Sequence, residues 1–286
     1  MAATIMDGKK IAAEIREELK ADVAVLRERG IAPRLDVILV GEDPASVYYA
    51  QAKERISKRI GVDFVWHRLP ETASEDEVLT LLAELNNDSA VHGIMVELPL
   101  PKGMGKDKIL AAVNPLKDVD GVNPLNQGYL ALELDGLFPA TPLACMEMLK
   151  RYEVPIRGQE AVIVGWGATV GKPLLPMLLG PRATVTTTHS RTRDLAAHTR
   201  NADIVISAVG RPGMITADMI KPGAVVIDVA INETPEGIVG DVDFAAVSEV
   251  AGYITPVPGG VGSVTTVLLY KNLLKGIELQ QRAQAL

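Results

Sequence analysis

Short, apolar, glycine-punctuated runs alternate with amphipathic stretches along this chain, and that alternation restricts the fold more than any other feature. RLDVILVG (34–41), VDFVWHRL (62–69) and VHGIMVEL (91–98) each precede a helix-like segment: SVYYAQAKERISKRIG, SEDEVLTLLAELNN and KDKILAAV. Strand then helix, repeated in this way, predicts right-handed βαβ units and a parallel sheet. A second series starts at 161 with AVIVG, a helix from about 170, ATVTTTH (183–189), a helix near 192–200, DIVISAVG (203–210) and AVVIDVA (224–230). Residues 9–29 place Ile11, Ile15, Leu19, Val23 and Leu26 at helical spacing ahead of Gly30, and VTTVLLYKNLLKGIELQQRAQ reads as a closing helix. Residues 117–142 have little periodicity and read as a long irregular connection. TPLACMEMLKRY follows as a helix with Thr141 as N-cap and Pro142 in its first position. The expectation is an α/β protein of two layers of similar size.

Composition narrows the function classes. A chain of 286 residues with 48% hydrophobic residues has length for one large or two ordinary domains and enough apolar material for a core, which excludes disorder. The 29 basic and 36 acidic residues give a net charge of -7 with no long block of either sign, which disfavours a nucleic-acid surface. The single cysteine, Cys145, lies in the apolar run PLACMEML and reads as a core thiol; no disulfide framework or thiolate metal cluster fits one cysteine. His67, His92, His189 and His198 show no ligand spacing, so no metal is expected. Neither a signal peptide nor a membrane span is legible, and a soluble, cytoplasmic protein is expected.

VIVGWGATVGKP places Gly165, Gly167 and Gly171 between an apolar strand and a helix. Such a turn needs glycine so that backbone N–H groups can approach a pyrophosphate, and the helix N-terminus adds partial positive charge. Trp166, Thr169 and Val170 belong to the same turn, and Ile231 follows a later strand; all are candidate cofactor contacts. The next strand ends in Thr188-His189-Ser190-Arg191, without the acidic residue that an NAD-selective site uses for the ribose 2′-hydroxyl. Ser190, Arg191 and Arg193 suit a 2′-phosphate, so NADP is favoured over NAD.

Tyr49 and Lys53 stand four residues apart in YYAQAKERI, on one helix face, after the turn GEDPAS at a strand end. A lysine against an apolar wall can act as a base or orient water. A surface stripe is the bland alternative for such a pair.

Taken together, MDGKKIAAEI, VGEDPASVYYAQAK, GIMVELPLP, NPLKDVDGVNP, FPATP, VIVGWGATVGKP, TVTTTHSRT, ADIVISAVGRPG, VVIDVAIN, GDVDF and ITPVPGGVGSVTT resemble, in order and spacing, the methylenetetrahydrofolate dehydrogenase/methenyltetrahydrofolate cyclohydrolase family. The resemblance implies oxidation of 5,10-methylenetetrahydrofolate with a nicotinamide cofactor and hydrolysis of the methenyl product to 10-formyltetrahydrofolate. It implies a folate-binding catalytic domain (1–143 plus 267–286, the last helix returning to it) and a Rossmann-type NAD(P)-binding domain (144–266). By the same resemblance Tyr49 packs on the folate, Lys53 is the essential lysine, and Asp120 binds the pterin. Ser46, Pro99, Gly259 and Gly260 line the same cleft, and two chains form a homodimer.

Glu97 in ELPLP occupies the place where the family pattern usually has glutamine, the hydrogen-bond partner of the lysine. A carboxylate at about 3–4 Å would favour the charged ammonium and leave Lys53 a poorer base. A monofunctional dehydrogenase with weak hydrolysis is therefore a second expectation, with Glu97 itself a candidate base. A non-catalytic nucleotide-binding scaffold is the third. Trp166 stands where many relatives carry arginine, Ser263 and Val264 where they commonly read Pro-Met, and Ala230 in place of a common glycine.

Overall fold

The computed structural model describes residues 2–235 and 237–285, which fall into two compact units. One comprises Glu14–Ala140 with residues 266–285, the other residues 2–13 with Thr141–Thr265.

The first unit is built on a three-stranded parallel sheet in the order Asp63–Leu69, Arg34–Val40, Gly93–Val96. The central strand is buried from Leu35 onwards, as a strand covered on both faces must be. Helix Pro44–Ile60 starts where the Asp43 carboxylate accepts from Ser46 N at 2.9 Å, with Pro44 supplying a first turn that needs no N–H, and stops at Gly61 in the left-handed region (φ 83). Helix Glu75–Asn87 opens with a reciprocal Ser74–Glu77 capping box and sends Val78, Leu82 and Leu85 into a core with Ile38, Val40, Ile94 and Ile109. Leu82 is fully buried, which stabilises the unit by roughly 1.5–3 kcal/mol relative to an exposed side chain. Strand residue Gly93 has no room for a larger side chain: a Cβ would lie 2.5 Å from Val119 and 2.7 Å from Leu273 of the last helix.

Residues 117–142 are more ordered than expected. A helix, Pro124–Ala131, is capped by Asn123, whose side chain accepts from Leu125 N, and it buries Asn126 against Pro115 O and Asp118. Two turns and a buried polar face carry no apolar period to read. Helix Ala140–Arg151 begins ahead of Thr141, so Thr141 lies within its first turn and is not its N-cap; Pro142 is tolerated there because first-turn N–H groups need no intrahelical acceptor. Cys145 is fully buried on this helix, and burial pushes its thiol up to about 12.

The second unit carries a six-stranded sheet, all pairs parallel, in the order Thr4–Ile5, Tyr253–Ile254, Val225–Asp228, Ile204–Ser207, Glu160–Val164, Thr184–Thr188. Val162, Val164, Val205, Val226 and Ile254 form its core. Residues 2–13 pack with the second unit. Thr4–Ile5 pairs with Tyr253–Ile254, and the Tyr152 hydroxyl accepts from Asp7 N at 2.7 Å and donates to Ile5 O at 3.1 Å. From Glu160–Val164 the chain passes to Thr184–Thr188 on one side and then to Ile204–Ser207 on the other. The strand order therefore reverses beside the C-terminal end of Glu160–Val164, the position at which open α/β sheets take ligands. The helix expected near 192–200 is the short Leu195–Thr199, and the closing helix, Val261–Gln284, starts earlier than expected. A two-stranded hairpin, Asn232–Thr234 with Gly237–Val239, was not legible in the sequence.

Candidate active site and nucleotide-binding turn

In the first unit, helix Pro44–Ile60 and the end of strand Gly93–Val96 bring Lys53 and Glu97 together. Glu97 N donates to Ile38 O at 2.9 Å, which extends the ladder one residue past the strand and fixes the backbone of the carboxylate. Lys53 Nζ donates to Glu97 Oε1 at 2.6 Å, closer than expected, in an ion pair whose side chains are 12% and 5% exposed. The Tyr270 hydroxyl, on the closing helix, donates to Lys53 O at 2.6 Å and holds the lysine's own backbone. Burial pushes the Glu97 carboxyl up; the Lys53 ammonium opposes this, and Asp120 adds to it. The Asp120 carboxyl is also raised by burial, with Lys53 the opposing charge. Lys53, Glu97 and Asp120 thus form one electrostatically coupled group.

Tyr49, one turn before Lys53, is 44% exposed, and its ring meets Tyr48 edge-on with centroids 5.8 Å apart. An aromatic face left open beside a buried ion pair is suited to a flat ligand. Ser46 is buried and locally committed: its hydroxyl lies 2.8 Å from Asp43 Oδ2 and donates to Leu98 O at 3.0 Å. It ties the helix start to the ELPLP loop. Pro99, after a cis Leu98–Pro99 bond, is exposed and lines a hollow of about 510 Å3 with Asp43 and Pro101. A larger hollow, about 820 Å3, is lined by Tyr48, Gln51 and Arg68, and its described lining includes neither Tyr49 nor Lys53.

In the second unit, the turn after Glu160–Val164 passes the test of a dinucleotide cradle. Gly165 has φ 113, and a Cβ there would fall 2.5 Å from Ala208 O; at Gly171 it would fall 1.9 Å from Gly165 O. Gly167 faces open space. Helix Gly171–Leu179 starts after Val170 with no side-chain cap; Lys172 N donates to Gly167 O and Leu174 N to Val170 O, each at 3.0 Å, and Pro173 has no N–H, so the helix start offers an anion chiefly its partial positive charge. Trp166 and Thr169 are exposed, Val170 is half-buried, and Ile231 is 49% exposed. Ser190 and Arg191 lie exposed just past Thr184–Thr188, in a turn where Arg191 N donates to His189 Nδ1 at 3.1 Å and His189 N to Thr192 Oγ1 at 2.9 Å. Gly259 (φ 106) and Gly260 also belong to this unit. Their turn packs on Gly8, where a Cβ would meet Gly260 O at 2.0 Å.

One support for this region escaped sequence reasoning. Asp241 is fully buried and accepts from Ser207 Oγ at 2.9 Å, Val209 N at 2.7 Å and Arg211 N at 2.6 Å, so one carboxylate organises the loop that follows strand Ile204–Ser207. Asp228, also buried, accepts from Val242 N and Ala230 N, and burial pushes it up to about 6. The signal was present as GDVDF, an acidic pair in an otherwise apolar neighbourhood.

A parallel α/β unit with a glycine cradle at its switch point, joined to a unit holding a buried lysine–carboxylate pair, defines a nucleotide-dependent enzyme class. Comparison with known proteins places the chain within that class. Residues 6–120 match the description "Tetrahydrofolate dehydrogenase/cyclohydrolase, catalytic domain", and residues 139–281 match "Tetrahydrofolate dehydrogenase/cyclohydrolase, NAD(P)-binding domain". The bifunctional protein FolD of Pelotomaculum thermopropionicum is 58% identical over 279 residues, 97% of this chain and 98% of that one. The crystal structure of the bifunctional FolD methylenetetrahydrofolate dehydrogenase/cyclohydrolase from Campylobacter jejuni superposes with a TM-score of 0.96 at 45% identity, covering 98% and 100% of the two chains. The Trypanosoma brucei enzyme, solved with NADP and an inhibitor, gives 0.93 at 37% identity, covering 99% of each. The chain belongs to the tetrahydrofolate dehydrogenase/cyclohydrolase family.

Proposed function

We propose that this protein oxidises 5,10-methylenetetrahydrofolate to the methenyl cation with NADP+ and hydrolyses that cation to 10-formyltetrahydrofolate. Full-length similarity to bifunctional relatives supports the two-activity reading over a monofunctional dehydrogenase or a non-catalytic scaffold. The observation that carries the chemistry is the buried Lys53–Glu97 pair beside the open face of Tyr49. When bound, NADP+ supplies the hydride acceptor. The residues that would hold it are Gly165, Trp166, Gly167, Thr169, Val170 and Gly171 along the pyrophosphate, Ser190 and Arg191 at the 2′-phosphate, and Ile231.

Hydride loss from the methylene carbon needs no strong acid or base, so the protein's part there is positioning. Tyr49 stacks on the folate, the Asp120 carboxylate accepts from the aminopyrimidine edge, and Ser46 and Pro99 shape the adjoining wall, with Gly259 and Gly260 as further substrate contacts. In hydrolysis, water adds to the methenyl carbon and gives up both protons as its oxygen becomes the formyl oxygen. One proton ends on the ring nitrogen as that C–N bond breaks, and the other leaves to solvent. The Lys53–Glu97 pair takes and returns the transferred proton.

Purified protein mixed with methylenetetrahydrofolate and NADP+ should generate reduced nicotinamide faster than with NAD+, and added methenyltetrahydrofolate should lose its own absorbance faster than in buffer. No reduced nicotinamide with either cofactor would overturn the reading. Among the described residues no helix is long and apolar enough to cross a membrane. The resemblance supports a cytoplasmic homodimer associating through the second unit, and light scattering on the purified protein reads the subunit number.

A further inference from the structure

We infer that two side-chain amides, Asn272 and Gln127, are positioning residues for Asp120, fixing the direction in which its carboxylate meets the folate. The inference rests on the function proposed above and deepens it. Asp120 differs from its neighbour Asp118 in how it is held. The Asp118 carboxylate accepts from Asn123 N at 2.8 Å and from the Asn126 amide at 3.0 Å. Among the described residues no group donates a hydrogen bond to the Asp120 carboxylate, so its direction follows from its backbone.

That backbone is gripped at three consecutive peptide groups. Asn272 Nδ2 donates to Val119 O at 2.8 Å, Gly121 N donates to Asp118 O at 3.1 Å, and Gln127 Nε2 donates to Gly121 O at 2.7 Å. Asn272 also donates to Phe138 O at 2.7 Å. The turn closes against that same residue: Gly121 has φ 68, and a Cβ there would fall 2.2 Å from the Phe138 carbonyl carbon. One buried amide on the closing helix therefore ties both sides of the contact. Asparagine is a poor helix former, yet Asn272 stands inside helix Val261–Gln284; the two carbonyls it serves account for its place there. A buried carbonyl that loses its donor must turn to find another or bear the cost of having none. At Val119 or Gly121 such a turn swings the carboxylate between them.

Calorimetric titration with tetrahydrofolate and with NADP+ tests this in wild type, Asn272→Ala, Gln127→Ala, Asp120→Ala and the two double variants that combine each amide change with Asp120→Ala. In either amide variant the dissociation constant for tetrahydrofolate should rise about tenfold, the loss of one charge-assisted hydrogen bond, while that for NADP+ changes less than about twofold. In the Asp120→Ala background the same changes should cost less than about twofold, because their route to the ligand is gone. Equal losses with and without Asp120, or parallel losses for both ligands, overturn the inference. Where Asn272→Ala fails to fold, the half-buried Gln127 carries the same comparison. Absence of wild-type turnover would overturn the proposed function, while these affinities would still decide the roles of the two amides.

Discussion

Lys53 and Glu97 are separated by 44 positions in sequence and by 2.6 Å in space, and the two partners do not depend on each other equally. Burial lifts the Glu97 carboxyl and the Lys53 ammonium opposes that rise. Lys53 left without Glu97 still has Asp120 as an opposing charge, whereas Glu97 left without Lys53 faces Asp120 as a like charge.

That asymmetry gives a stability order. Lys53→Met should destabilise the first unit by about 3–5 kcal/mol by leaving two carboxyls without their cation. Glu97→Leu should cost clearly less, because Asp120 still opposes the Lys53 charge. Urea denaturation at neutral pH reads both; equal midpoints for the two variants would contradict the order. Lys53→Met should also slow methenyl hydrolysis by about 10²- to 10⁴-fold while hydride transfer, a matter of positioning, falls less.

Asp118 offers a pH prediction. Burial pushes its carboxyl up to about 6, against an ordinary 3.8, although Asn123 N and the Asn126 amide both donate to its Oδ2. The folded state thus binds the proton more tightly than the unfolded chain. This contribution to stability is full below about pH 3.8 and is lost as pH rises to about 6. Because Asn123 N and the Asn126 amide address one oxygen, Asp118→Asn can keep those two bonds without titrating. Relative to that variant, the wild type should lose up to about 3 kcal/mol between pH 4 and pH 7. Thermal denaturation across that range should show the difference widening with pH; a constant difference would refute it.

Asp241 should govern cofactor binding without touching the cofactor. Asp241→Ala removes the acceptor for Ser207 Oγ, Val209 N and Arg211 N together, and about 1–3 kcal/mol attaches to each buried donor left unpaired. The expected outcome is a raised KM for NADP+ of tenfold or more with hydrolysis of added methenyltetrahydrofolate largely retained, because the Lys53 group lies in the other unit. Parallel loss of both activities would mean that the whole chain, not the loop, depends on this carboxylate.

Ser190→Asp should reverse cofactor preference. A carboxylate there repels a 2′-phosphate and accepts from a ribose 2′-hydroxyl. The ratio of kcat/KM for NADP+ to that for NAD+ should fall at least tenfold, and Arg191→Ala should lower it in the same direction. An unchanged ratio would remove both residues from the 2′-phosphate site.

Much of this architecture was legible because its strands are apolar on both faces and its helices carry their own stop signals. Gly61 ends one helix and the Ser74–Glu77 box begins another, as local chemistry demands. The glycine cradle was legible for the same reason: Gly165 and Gly171 sit where a Cβ has no room. Polar cores were harder to see. Asp36 looks like a surface residue in RLDVILV, yet it is fully buried, gripped by Arg34 through two bonds and lying 2.7 Å from His67 Nε2. Helix Pro124–Ala131 and strand Thr4–Ile5 escaped because two turns and two residues are too short to establish a period. At the candidate site the lysine and its partner were readable as residue types. The count of carboxyls around one ammonium became visible only when distant segments met.

The bond from Tyr270 to the backbone of Lys53 bears on when the enzyme comes alive. Tyr270 follows Lys53 by 217 positions, and Asn272 of the same helix holds Val119 O and Phe138 O. During synthesis the strands and helices around the lysine emerge tens of seconds before these anchors do, at ordinary ribosomal speed. Lys53 is therefore set in place by a segment translated long after it, so a chain that has not yet reached Tyr270 has the ingredients of the Lys53–Glu97 pair without its brace.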